Sequence, residues 1–226
     1  MKKILIYLIC IFSYVSLFAQ QDVTKFLGFP VDGSKSEFIK NLKTKGFTVT
    51  KRGDNEVLSG RFNGNDVNIY LSTENGKVSR VMVCDENELS ESDIKIRFNR
   101  LCDQFCKNGK YLTLEDYTIP EDEDISYEMA VRNKRYEAIF YQLPDKNAME
   151  DLQASILATI QSQYDSEELA NASDELKIKI FADCASELLK AVENKPVWFM
   201  ISEHFGRYYI TMFYDNELNR AQGEDL

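Results

Sequence analysis

Apolar and polar positions along this chain repeat with two periods, and the changes from one period to the other divide it into elements. Between residues 34 and 46 the spacing is helical. Phe38, Ile39 and Leu42 fall on one face, Ser34 or Ser36 can accept a hydrogen bond from the first turn, and Gly46 supplies a left-handed stop. The period then drops to two. Runs at 47–50, 56–62, 66–71 and 77–84 alternate, with Val67, Ile69 and Leu71 on one side and Asn68, Tyr70 and Ser72 on the other. Asn63-Gly64 and Asn75-Gly76 are dipeptides that favour positive-φ hairpin turns, so an antiparallel meander is expected after the helix.

The same order returns further on. Ser90 and Ser92 cap a helix over 94–106 whose stripe is Ile94, Phe98, Leu101, Cys102 and Phe105, and Asn108-Gly109 ends it. Strands are predicted at 110–114, 125–131 and 135–143, the last two joined at Asn133-Lys134. Residues 145–194 are rich in Ala, Leu, Glu, Lys and Gln, and they read as a helical hairpin. Met149, Leu152, Ile156 and Ile160 form one stripe, and Ile178, Phe181, Ala185, Leu188 and Val192 another. A closing hairpin follows at 197–202 and 207–214 around Phe205-Gly206, apolar enough to be central in its sheet. A polar tail, 215–226, is expected to be only partly ordered.

The fold class is therefore α+β. Two helix-plus-antiparallel-meander units span 20–89 and 90–226, and the helical hairpin at 145–194 is inserted in the second. The duplication is one of pattern, without a residue-level repeat.

Ahead of these units, Lys2 and Lys3 precede an apolar run that ends at Ala19 before Gln20, Gln21 and Asp22. This reads as a secretory signal peptide, residues 1–19, because the run closes too early for a spanning helix. Cys10 lacks the small residues that should precede a lipidated cysteine, so a free mature protein is expected, periplasmic or secreted, with no stable membrane insertion after cleavage. Removing 1–19 takes 27 basic against 37 acidic residues to 25 against 37, a net charge of −12. Such a surface repels phosphate backbones, so nucleic acid is not expected as a partner.

Candidate chemistry is sparse. Cys84, Cys102, Cys106 and Cys184 permit disulfides after export, but Cys102 and Cys106 are four apart on a helix, a poor geometry for a bridge, and structural thiols are expected. His204 is the sole histidine and lies in the closing turn, which suits exposure better than service as a base for Cys184 or a serine. The acid run Glu121, Asp122, Glu123 and Asp124, near Asp116, lacks the spacing of a calcium loop and reads as a solvated connection. Asp215 and Glu217 could pair as acid and base in a glycosidase, but a sequence with 37 acids always yields such pairs. No nucleophile elbow, His-Glu-x-x-His or phosphate loop occurs. No catalytic, cofactor-binding or metal residue is assigned, and no cofactor is expected.

The aromatic set Trp198, Phe199, Tyr208, Tyr209, Phe213 and Tyr214 is the most suggestive feature. Tyr208, Ile210, Met212 and Tyr214 point one way along their strand and Tyr209, Thr211 and Phe213 the other, so both faces carry aromatics. One face is core. The other is either covered by the inserted helices or open for recognition, and Trp198, Tyr208 and Tyr214 are the candidate partner-binding residues.

Phe26-Leu27-Gly28-Phe29-Pro30-Val31-Asp32-Gly33, the Lys45-Gly46-Phe47 stop, the run from Val197 to Ser202 and the run from Tyr208 to Asn216 together carry a resemblance. The chain resembles a group of uncharacterised, signal-peptide-bearing proteins of Bacteroides-type bacteria. In element order it also resembles the tandem helix-plus-four-strand architecture of β-lactamase-inhibitor-like proteins, which implies a sheet with one face open to a partner. The expectation is an exported, non-catalytic binding or interaction module for a protein or glycan. A hydrolase using a carboxylate pair and an envelope structural protein are the alternatives.

Overall fold

The structure is a computed structural model that describes residues 22–52 and 55–220; the expected signal peptide lies outside the described residues. A small hairpin, β1 (Lys25–Phe26) and β2 (Phe29–Pro30), leads into helix α1 (Lys35–Thr44). Ser34 caps α1 by accepting the Glu37 N–H, and Gly46 leaves it at φ +92°, as the serine and glycine positions predict. The strands β3 (Thr48–Arg52), β4 (Asn55–Phe62), β5 (Asn65–Glu74) and β6 (Lys77–Asp85) then run antiparallel in sequence order. Asn63-Gly64 and Asn75-Gly76 take positive φ at both positions, giving tight turns.

Helix α2 (Glu91–Lys107) opens the second unit, capped by Ser90, and buries Ile94, Phe98, Leu101, Cys102 and Phe105. Its four strands are β7 (Tyr111–Leu112), β8 (Glu137–Gln142), β9 (Pro196–His204) and β10 (Arg207–Asp215). All eight form one antiparallel sheet in the order β3-β4-β5-β6-β10-β9-β8-β7, so the apolar closing hairpin lies at the centre, where it joins the two units.

One predicted strand is a helix. Residues 125–131 alternate Ile125, Tyr127, Met129 and Val131 as a strand would, yet they form α3 (Ile125–Arg132). Asp124 accepts the Tyr127 N–H as an N-cap, and Asn133 stops the helix at φ +54°. The apparent alternation is not a burial pattern: Ile125 is in the core, while Tyr127 and Val131 are 49% and 59% exposed. The polar tail also begins later than expected. Asp215 and Asn216 are buried, and Asn216 and Asn219 donate to the carbonyls of Val31 and Val78.

One row of side chains shows how the core is built. Val49, Leu58, Ile69, Val83, Met212, Phe199 and Ala138 stand side by side across seven strands. They face α1 and α2, and the buried residues of both units form one continuous cluster. Phe98 and Phe105 on α2 pack against Phe140 and Phe199 with ring centroids 4.6–5.7 Å apart.

Between β8 and β9 the chain leaves the sheet as α4 (Lys146–Gln163), the short α5 (Ser166–Ala170) and α6 (Asp174–Val192). Helices α4 and α6 pack on each other through half-buried side chains, and only Val192 is fully buried. Among the described residues, no helix is long and apolar enough to cross a membrane.

Candidate functional site

The sheet face opposite α1 and α2 is the place where a partner could dock. No residue of α4, α5 or α6 lines the Trp198 end of this face, and α4 and α6 pack chiefly on each other. Strand register then decides what the face presents. Its middle row is Tyr70, Met82, Phe213, Trp198 and Ile139, drawn from five adjacent strands. Asn68, Cys84, Thr211, Met200 and Glu137 form the row on one side, and Ser72, Arg80 and Asp215 lie on the other.

Asp215 organises the centre of this face. Its side chain is only 2% exposed and accepts a bidentate pair from Arg80, at 2.5 and 2.7 Å, together with the Trp198 indole N–H at 2.9 Å. The bonds to Asp215 raise the Arg80 pKa above its usual value, so the guanidinium stays charged. Trp198 stacks on Phe213 with centroids 4.0 Å apart and planes 16° from parallel, and the guanidinium lies over both rings. The result is a fixed aromatic platform with a cation on it.

Beside the platform lies a basin of about 460 Å³. Ile139, Tyr141, Pro196 and Trp198 form its apolar floor, and Arg80, Arg135, Arg220, Glu137, Glu193, Asp215 and Glu217 its rim. Charges of opposite sign alternate around that rim: Arg135 pairs with Glu137 at 3.0 Å, and Arg220 with Glu217 at 2.7 Å.

The three aromatic candidates do not share a face. Trp198 pairs in register with Phe213 and belongs to the open side, whereas Tyr208 and Tyr214 alternate with Phe213 along β10 and are buried on the helix side. Tyr208 hydrogen-bonds Ser126 of α3 at 2.7 Å. Tyr214 packs on Phe26 at 4.8 Å and interacts with Tyr111, and burial raises its pKa far above the usual tyrosine range. It also walls a separate cleft of about 840 Å³ between the β1–β2 hairpin and the start of α4, across which Lys25 reaches Asp145 at 3.0 Å.

Arg80, Tyr70, Met82, Ile139, Tyr141 and Arg135 were not singled out from the sequence. The signal for Tyr70 was present, since the 66–71 alternation puts it opposite Val67 and Ile69; the rest required knowing that β6 and β8 flank the closing hairpin.

The remaining candidates have local roles. His204, expected in the closing turn, is instead the last residue of β9, paired with Arg207 beside the Phe205-Gly206 turn; it is exposed and pairs with Glu88 at 2.7 Å. In the acid run, Asp124 caps α3, Glu123 accepts from Lys134 and Tyr136, and the Glu121 and Glu123 carbonyls accept from Lys95. Those side-chain bonds lower the Glu123 pKa. Cys84, Cys102, Cys106 and Cys184 are free, and burial pushes the Cys102 thiol up to about 12. Among the described residues, no group of three or more His, Cys, Asp or Glu side chains is placed to hold a metal ion. No protein-family model, curated protein or solved structure matches the chain.

Proposed function

We propose that the chain is an exported, non-catalytic interaction module that binds a protein partner on the open face of its sheet, in the periplasm or outside the cell. The observation that carries this reading is the basin at Trp198. Trp, Tyr and Arg are the residue types that dominate the energetics of protein interfaces, and here Trp198 and Tyr141 lie in the apolar floor and three arginines in the charged rim. Arg80 and Asp215 hold the platform in one conformation before any partner arrives, which reduces the ordering cost of binding.

A protein suits the basin better than a glycan. Sugars stack on free aromatic faces, and the Trp198 ring already carries Phe213 against it, with Arg80 over both. Hydrolysis through Asp215 and Glu217 is disfavoured by the same geometry, because the Asp215 oxygens are engaged by Arg80 and Trp198.

Capture from an envelope extract tests the proposal. A protein retained by the wild-type chain and lost with both Arg135→Glu and Tyr141→Ala supports it. Equal retention by the variants, or substrate turnover abolished by Glu217→Gln, would overturn it.

A further inference from the structure

The helical arm carries apolar surface that the fold leaves uncovered. Phe181 is 76% exposed, Ile178 69%, Leu157 54% and Leu189 37%. These four residues lie together. Helices α4 and α6 meet through Ile156 and Ile160 on one and Ile180 and Cys184 on the other. At 100° per residue, Leu157 lies about a quarter-turn from the α4 contact face, and the Ile178, Phe181 and Leu189 stripe about a third of a turn from the α6 contact face. Both rotations have the same sense along the sequence and the helices are antiparallel, so both sets come to one side of the arm. A helix in a four-helix bundle uses two faces in this way, one for each neighbour.

The same side is free of charge through its middle. Gln153, Ala154, Leu157 and Gln161 of α4 lie beside Ile178, Phe181, Ala182, Ala185 and Leu189 of α6, in a chain of which 28% of residues are charged. The uncharged stretch runs from Ile178 onward, with the exposed Lys177–Asp174 pair at its end, as an interface has an apolar centre and a polar rim.

We infer that this side of the α4–α6 arm binds the same side of a second copy, forming a four-helix bundle about a two-fold axis. Self-complementarity favours a second copy. When α6 lies antiparallel to its counterpart with the axis near residue 183, the Phe181 ring faces the small Ala185 of the other copy, and Ile178 faces Leu188 and Leu189. The large Phe181 thus meets a small side chain and Ile178 meets apolar ones, each pair twice across the axis, as an isologous contact requires.

The available area is also sufficient. A whole large aromatic covers about 150–250 Å², so the exposed parts of the four apolar side chains come to roughly 400 Å². With the neutral residues around them the face reaches roughly 700 Å² per copy, close to the ~800 Å² per partner of a standard stable interface. The inference is independent of the open sheet face, which the arm leaves free.

Sedimentation equilibrium of the mature chain tests it. The wild type should form a dimer, and Phe181→Glu, at an exposed position, should weaken that dimer by roughly 30-fold or more while leaving the circular dichroism, and the unfolding midpoint at concentrations where both chains are monomeric, unchanged. In a second measurement, with Cys106→Ser removing the exposed native thiol, Ala185→Cys should be joined to its counterpart across the axis by a short bismaleimide, since a direct disulfide would need the two Cα atoms within about 7 Å, and Ala158→Cys, on the outer side of α4, should not be joined. A wild-type monomer at about 100 μM, or a dimer unaffected by Phe181→Glu, would overturn the inference.

Discussion

Trp198 and Phe199 are adjacent on β9 and stand on opposite faces of one sheet, and the contrast between them explains the molecule. Phe199 packs against Phe98, Phe105 and Phe140 under α2, in a row of apolar side chains that spans seven strands. Trp198 instead has one aromatic neighbour, a guanidinium and a buried carboxylate, with a basin at its edge. On the helix face, stability comes from apolar area removed from water. On the open face a few polar bonds hold half-buried apolar groups in a set position, the arrangement on which the proposed partner surface rests.

The largest effect expected from breaking this contrast is on the helix face. Phe199→Ala should cost about 3–5 kcal/mol, the range for deleting a fully buried aromatic, read from the urea unfolding midpoint. Arg80→Ala comes next, at about 2–3 kcal/mol, because it leaves the buried Asp215 carboxylate unpaired. Adding Asp215→Asn to Arg80→Ala should recover part of that loss, and a strictly additive double variant would show that the two residues do not act as a pair. Gly60→Ala should cost about 1–3 kcal/mol, since the new methyl would meet the Phe47 ring at 2.6 Å where that ring lies over β4.

Alkaline pH sharpens the same comparison. Burial raises the pKa of Tyr214, and those of Tyr111 and Tyr136 rise with it, all three lying on the helix side of the sheet or at its end. An unfolded tyrosine ionises near pH 10, so above that pH unfolding releases protons that the folded chain retains. Stability should be undiminished by these groups below pH 10 and fall as the pH rises beyond it, and Tyr214→Phe should flatten the fall in a series of urea midpoints.

The smallest stability effects belong to the open face. Trp198→Ala should cost about 1–2 kcal/mol and Tyr141→Ala less than about 1 kcal/mol, although both should abolish partner capture. A loss at Trp198 as large as that at Phe199 would mean that the open face serves as core.

Local chemistry made most of the fold legible in the sequence. Ser34 and Ser90 as caps, Gly46 as a stop and the two Asn-Gly turns mark element ends through backbone bonds and positive φ, and neither depends on distant residues. The failure at 125–131 has a physical cause. Four alternating apolar residues imitate a strand, while the deciding features were the Asp124 cap and the left-handed Asn133, which the sequence reading took for part of a hairpin.

The site was less legible, because a face is a property of register between strands. Alternation along β10 correctly separates Phe213 from Tyr208 and Tyr214. Nothing local indicates that Trp198 stands opposite Phe213, or that Arg80, more than a hundred residues away, closes onto Asp215. The uncovered arm was hidden for the same reason: its helices are plain in the pattern of apolar positions, but where they lie relative to the sheet is not.

Site-directed photo-crosslinking in the native host tests the central claim most directly. Benzoylphenylalanine would replace Tyr141 and Tyr70 on the open face and Tyr127 on α3, and adducts would be identified by mass spectrometry. The account predicts one discrete protein adduct from Tyr141, with a weaker or equal one from Tyr70, none from Tyr127, and loss of the adduct when Arg135→Glu is added. Adducts from Tyr127 alone, or the same adducts from all three positions, would contradict it.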